Sequence, residues 1–255
     1  MFTEYVTPAG EYSRLFASML HDNHLLIAGA TGSGKSTVVN GIITTALYNS
    51  PAVARFILID PKRCELRQYA QLPHTVTYAD RPAQFVPALQ TALDICEARF
   101  ADAQRRNLRE YDGSHIYIII DELAYLMTTQ KREVLPLLQQ IAMIGRAARV
   151  HIIACTQSPV AAVIPTPLKC NFDSRLAMRT ATAQDSRNII GVKGCEALPD
   201  PKREGKAFGY YRQGANTVLY ILPMVSESER KRLIDHWMDK RNTRKHFFGS
   251  ARRSA

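Results

Sequence analysis

The amino-acid sequence predicts an α/β fold, with a mainly parallel central sheet and helices on both of its faces. Three observations point there. Short apolar runs alternate with helix-like segments along most of the 255 residues, the pattern of successive βαβ units. Those runs are continuously apolar, as a sheet covered on both faces requires. The first run also leads straight into residues 29–36, GATGSGKS, a phosphate loop of the form G-x-x-x-x-G-K-[S/T] placed between a strand and a helix.

Taken in order, the run Leu25-Leu26-Ile27-Ala28 has the length of a buried strand, and the helix-like stretch 36–48 follows the loop. A second strand is expected at 55–59 (RFILI). A long helix is expected over 82–111, where Val86, Leu89, Leu93, Cys96 and Phe100 recur at three- and four-residue spacing and set one face toward the core. Its basic end, Arg105 to Arg109, suits the negative pole of a helix. Strand 116–120 (IYIII), helix 132–147 and strand 150–155 (VHIIAC) come next, followed by strand 174–178, helix 182–190, strand 218–222 and helix 226–241. No internal repeat or low-complexity linker interrupts the series. One domain is expected over 1–222, with 223–255 forming a C-terminal helix and basic tail.

The composition is 46% apolar and 22% charged, with a formal net charge of +10. That excess suggests an anionic partner. From residue 230 onward, however, nine Lys or Arg face two Asp, so much of the charge belongs to a tail that is either solvated or in contact with nucleic acid. The five cysteines form no C-x-x-C pair or metal-ligand spacing, which fits a reducing compartment. No apolar run approaches the ~20 residues that span a bilayer, and the N-terminus lacks a signal-peptide pattern. A cytoplasmic protein with no direct membrane span is expected.

The loop predicts a nucleoside triphosphate site, with ATP held along Gly29, Ala30, Thr31, Gly32, Ser33, Gly34, Lys35, Ser36 and Thr37. Backbone N–H groups and a helix N-terminus face the phosphates there. Lys35 is expected at the β/γ phosphates and the Ser36 hydroxyl on Mg²⁺. Residues 116–122, IYIIIDE, read as a strand ending in two carboxylates. Asp121 is expected to share the Mg²⁺ with Ser36, and Glu122 to polarise the attacking water. Gln157, at the tip of strand 150–155, either senses the γ-phosphate or marks an ordinary strand-end turn.

Five segments together resemble the FtsK/SpoIIIE family of DNA translocases: HLLIAGATGSGKS (24–36), LIDPKRCEL (58–66), IIIDELAYLM (118–127), IGRAARVHIIACTQSP (144–159) and DSRNIIG (185–191). The likeness covers roughly 24–212. It implies a RecA-like P-loop ATPase that forms a homo-hexameric ring around double-stranded DNA, with ATP between subunits and with a membrane channel or recombination machinery as further partners. It places Lys35, Ser36, Asp121 and Glu122 at the nucleotide and Gln157 as a sensor. Arg146 matches an arginine finger acting on the neighbour's ATP, although the local sequence equally suits a cap of helix 132–147. Arg187 becomes a candidate for an inter-subunit or DNA-phosphate contact. Lys62, Arg63, Lys131 and Arg132, in strand-end connections, are candidates for sequence-independent phosphate contacts. Three departures stand out: neither an N-terminal transmembrane block nor an orientation-reading winged-helix module is expected from these 255 residues, and Gly145 and Arg149 stand where the family usually carries Ala and Gly. The same motifs also serve packaging ATPases and type VII protein-secretion motors.

Overall fold

The computed structural model describes residues 24–49, 52, 54–222 and 224–250, with 241–250 as backbone only. Strand β1 (His24–Ala28) runs into the phosphate loop, out of which helix α1 (Lys35–Asn49) begins. There follow β2 (Ala54–Ile59), β3 (Thr75–Ala79), α2 (Pro82–Arg105), β4 (His115–Ile120), α3 (Leu123–Thr129), α4 (Lys131–Ile144) and β5 (Val150–Thr156). The chain continues through α5 (Thr166–Lys169), β6 (Ser174–Met178), α6 (Ala183–Ile190), α7 (Pro201–Glu204), β7 (Ala207–Gln213), β8 (Asn216–Leu222) and α8 (Glu227–Ser250).

The eight strands form one sheet in the order β3-β2-β4-β5-β1-β6-β7-β8. From β3 to β6 all neighbours are parallel; β7 and β8 are added antiparallel at one edge. Strand β5 lies between β1 and β4, with Ala28 opposite Thr156 and Ile120 opposite Ala154. The phosphate loop, the Asp121-Glu122 pair and Gln157 therefore leave the sheet at the same edge, from three adjacent strand ends.

Both faces are covered, as the apolar runs required. Side chains alternate along the strands: Leu25 and Ile27 pack with Val38, Ile42 and Leu47 of α1, while Leu26, Ile118 and Ile152 pack with Phe85, Leu89 and Leu138 on the other face. Leu233 of α8 joins the α1 side, with Trp237 and Met238 partly buried against it. Among the described residues no helix is long and apolar enough to cross a membrane.

The sequence pattern left out β3, β7, α3 and the short helices α5 and α7, and it ran α2 too long. α2 stops at Arg105, because Asn107 takes φ 53° and Leu108 N–H donates to the Ala103 carbonyl. α4 likewise ends at Ile144, short of 147, and residues 145–149 form a turn. α8 extends beyond the expected 241 to Ser250.

Candidate nucleotide site

The loop's glycines answer two geometric demands. Gly32 and Gly34 have φ 77° and 99°, the left-handed region that side-chain-bearing residues avoid. At Gly29 a Cβ would lie 2.7 Å from Ser33 Oγ and 2.9 Å from Met178 Cβ. The loop is tied to the strands beside it: Gly29 N–H donates to the Thr156 carbonyl (3.2 Å) and Ala30 N–H to the Arg179 carbonyl (2.8 Å). Ser33 N–H turns back to the Ala30 carbonyl (3.2 Å). The amides of Gly29 and Ala30 thus anchor the loop to its neighbours, and that of Ser33 closes the loop on itself.

Beside the loop opens a cavity of about 480 Å³, lined by Thr31, Lys35, Ser36, Thr37, Asp121 and Gln157 among others. Lys35 Nζ donates to the Gly29 and Ala30 carbonyls at 2.7 and 2.9 Å, and burial lowers its pKa. Asp121 is 8% exposed, and its Oδ2 is buried without a hydrogen-bond partner. Burial, reinforced by the nearby carboxylates Asp60, Glu65 and Glu122, raises its pKa to about 6 despite the opposing charge of Lys62. An orphaned carboxylate oxygen and the Ser36 hydroxyl on the same cavity are hard oxygen donors of the kind Mg²⁺ takes, so the residues present fit that ion.

Glu122, 6% exposed, is held by two donors: Gln157 N–H to Oε1 (3.1 Å) and Lys62 Nζ to Oε2 (3.0 Å). Burial opposes the charge on Lys62, but the hydrogen bond and charge of Glu122 outweigh it and raise the Lys62 pKa. The Gln157 side-chain oxygen accepts from Thr31 Oγ1 at 2.8 Å. A polar chain therefore runs from Lys62 through Glu122 and Gln157 to Thr31, joining the ends of β2, β4 and β5 to the phosphate loop.

The phosphate-loop residues, Asp121, Glu122 and Gln157 come together as the sequence suggested; Arg146 and Arg187 do not. Arg146 is exposed in the turn before β5, and its guanidinium makes no hydrogen bond to the end of α4, where Gly145 N–H caps Ile141 instead. It stands at the opposite sheet edge. The six residue steps from Val150 to Thr156 separate it from its own loop by about 20 Å. Arg187 is exposed on α6, outside the cavity lining.

The two unusual residues of the Arg146 turn have structural reasons. Arg149 adopts φ 52°, the conformation a glycine would favour, and its Nη1 donates to the Asp112 and Gly113 carbonyls, both at 3.0 Å. At Gly145 a Cβ would meet the Val150 and Ile141 carbonyl oxygens at 2.5 and 2.6 Å. Buried Arg99 fastens the same turn, donating to the Ala148 carbonyl (2.8 Å) and Ser114 Oγ (2.9 Å).

Sequence reasoning missed the cavity's far wall. Pro201, Lys202 and Met224 line it, and Lys202 Cε is 3.8 Å from where a Cβ on Gly32 would sit. Asp200 holds α7 there, accepting from Lys202 N–H (3.0 Å) and pairing with Arg179 (3.3 Å). No motif marks these residues. Of the expected phosphate-contact cations, Lys62 pairs with Glu122, Arg63 Nε donates to the Asp80 carbonyl (3.0 Å) and Lys131 Nζ to the Ala162 carbonyl (3.2 Å). Arg132 is exposed.

Comparison with known proteins agrees with this geometry. Residues 9–117 match the model of the FtsK/SpoIIIE family. The DNA translocase FtsK of Staphylococcus aureus is 38% identical over 196 residues, covering 69% of this chain and 25% of that protein. The DNA translocase FtsK of Chlorobaculum tepidum is 37% identical over 197 residues, covering 69% and 24%. The chain thus spans about a quarter of the length of these relatives. Among solved structures, the pCW3 conjugation coupling protein TcpA superimposes with a TM-score of 0.73 at 20% identity, covering 85% of this chain and 65% of that one. The type VII secretion ATPase EccC of Thermomonospora curvata gives a TM-score of 0.68 at 21% identity, covering 85% and 28%.

Proposed function

The chain belongs to the FtsK/SpoIIIE family, and on that premise we propose that it is a cytoplasmic ATP-hydrolysing motor that moves double-stranded DNA, active as a homo-hexameric ring. In this reading 1–222 belongs to the motor and 223–255 to a C-terminal helix and basic tail; of these, 1–23 and 251–255 lie outside the described residues.

The observation that carries this reading is the division of the machinery between two edges of the sheet. The phosphate loop, Asp121 and Glu122 lie at one edge; Arg146 lies at the other, about 20 Å away by strand length. An arginine so placed serves a nucleotide only across a subunit boundary, so a ring of identical chains completes every site.

Lys35 leaves the loop carbonyls to bind the β/γ phosphates, and Ser36 with Asp121 would hold Mg²⁺. The ion, when bound, neutralises phosphate charge. Glu122 orients the attacking water and takes up its proton. Gln157, already touching both Glu122 and Thr31, reports the state of the terminal phosphate. Arg146 of the adjacent subunit supplies positive charge to the transition state, an effect of about 10³–10⁵ in rate. Exposed cations, Arg132 in the first turn of α4 and Arg187 on α6 among them, contact DNA phosphates without reading sequence. A membrane channel or recombination machinery supplies the setting in which the DNA is moved.

Steady-state ATP hydrolysis with and without long linear duplex DNA tests the proposal. Strong stimulation that disappears in Lys35→Ala and in Arg146→Ala is expected. Turnover indifferent to DNA would contradict it and point to a motor for polypeptide.

A further inference from the structure

Lys62 is held in a way that neither a loop cation nor a DNA contact explains. β2 ends at Ile59, and the next residue, Asp60, is fully buried. Its Oδ2 accepts from Leu66 N–H at 3.0 Å, and its carbonyl accepts from Arg63 N–H at 3.0 Å. Arg63 takes φ 60° and ties its own side chain to the Asp80 carbonyl. The backbone of residues 60–66 is therefore fixed from both sides. The Lys62 side chain, by contrast, is 39% exposed: a long, flexible stem on an anchored base.

That stem lies on the wall of the nucleotide cavity, with Lys35, Ser36 and Asp121. Its ammonium has one partner there, Glu122 Oε2 at 3.0 Å, on the side of the cavity where the carboxylates stand. Glu122 carries one negative charge. A terminal phosphate seated between Lys35 and Asp121 brings up to two, with three acceptor oxygens. An ammonium within reach of both moves to the greater charge, because charge-assisted hydrogen bonds strengthen with the charge of the acceptor. A diphosphate ends one group short of the carboxylates and offers no such exchange.

We propose that Lys62 is a γ-phosphate-responsive positioning residue: ion-paired to Glu122 without nucleotide, it transfers to the terminal phosphate when a triphosphate binds and so frees Glu122 to accept a hydrogen bond from water. The exchange breaks one ammonium–carboxylate contact and makes one ammonium–phosphate contact, with no proton moved. It ties release of the water-orienting carboxylate to arrival of the correct nucleotide. This inference rests on the nucleotide-site reading above.

Equilibrium binding of a non-hydrolysable ATP analogue and of ADP, both with Mg²⁺, tests it without any turnover. Lys62→Met is expected to weaken the triphosphate analogue about tenfold and ADP less than about twofold, the size of one charge-assisted hydrogen bond. Lys62→Arg should restore the discrimination. Glu122→Gln, which removes the resting partner, should tighten the analogue and leave ADP unchanged, and adding Lys62→Met should abolish that gain. Equal losses for both nucleotides, or none for either, would overturn the role of Lys62 alone. A wild-type protein that binds neither nucleotide would overturn the site reading and this inference together.

Discussion

Acidification is expected to loosen the start of β5 through a single imidazole, that of His24. The ring is 2% exposed. Its Nδ1 accepts from Ile152 N–H at 3.0 Å, and its Nε2 faces the Ala142 carbonyl at 3.0 Å. A neutral ring with its proton on Nε2 satisfies both bonds, whereas a second proton on Nδ1 would confront the Ile152 N–H. Burial accordingly pulls the pKa from 6.5 to about 4, against the smaller upward effect of the Ala142 carbonyl. The unfolded chain takes up the proton near pH 6.5 and the folded chain only near pH 4, so between those values the unfolded state binds more protons. His24's contribution is complete above that window and is lost as pH falls through it, by about 2 kcal/mol at pH 5 and about 3 kcal/mol at pH 4.

Urea unfolding of wild type and His24→Gln across this range, at constant ionic strength, isolates the effect, because other titrating groups cancel in the difference. The stability gap between the two proteins should close, or reverse, by that amount on acidification. Parallel stability curves would refute the assignment.

Three further outcomes follow from named contacts. Gly29→Ala places a Cβ 2.7 Å from Ser33 Oγ and 2.9 Å from Met178 Cβ; it should cost about 1–3 kcal/mol of stability and weaken nucleotide binding, and unchanged calorimetric affinity would contradict the loop geometry. Arg99→Met leaves the Ala148 carbonyl without its guanidinium donor, takes one of two donors from the Arg149 carbonyl, which keeps the Ile116 N–H, and removes the cation from 4.5 Å above the Tyr111 ring. A loss of about 3 kcal/mol in urea unfolding is expected, with DNA-stimulated turnover falling and nucleotide affinity kept; a loss under about 1 kcal/mol would show that the turn is held elsewhere. Truncation after Lys240 removes Arg241, Arg244, Lys245, Arg252 and Arg253, and should flatten the salt dependence of DNA binding by up to about 4.5 in logarithmic slope. Identical slopes would exclude contact by the tail.

What the sequence disclosed and what it concealed divide along physical lines. Interior strands such as Ile116 to Ile120 are buried on both faces, so apolar composition alone marks them. β3, TVTYA, is an edge strand with only Ala79 fully buried, and β7 alternates buried and half-exposed residues around Gly209; neither forms an apolar run. The end of α2 depends on the left-handed Asn107, which helical periodicity does not register. Lys35, Ser36 and Asp121 were legible because a local motif fixes each relative to a strand end. The pairing of Lys62 with Glu122 spans 60 residues and becomes visible only when β2 and β4 are laid side by side. The remoteness of Arg146 from its own loop is likewise a property of strand direction and not of local spacing.

The central claim, that each catalytic site is assembled from two copies of the chain, is tested most directly by mixing two inactive variants. Lys35→Ala retains Arg146, and Arg146→Ala retains the phosphate loop. ATP hydrolysis on linear duplex DNA should be near zero for each alone and should recover on mixing, since some interfaces then join an intact loop to an intact arginine. Mixtures no more active than the separate variants, with assembly into rings verified, would contradict the account.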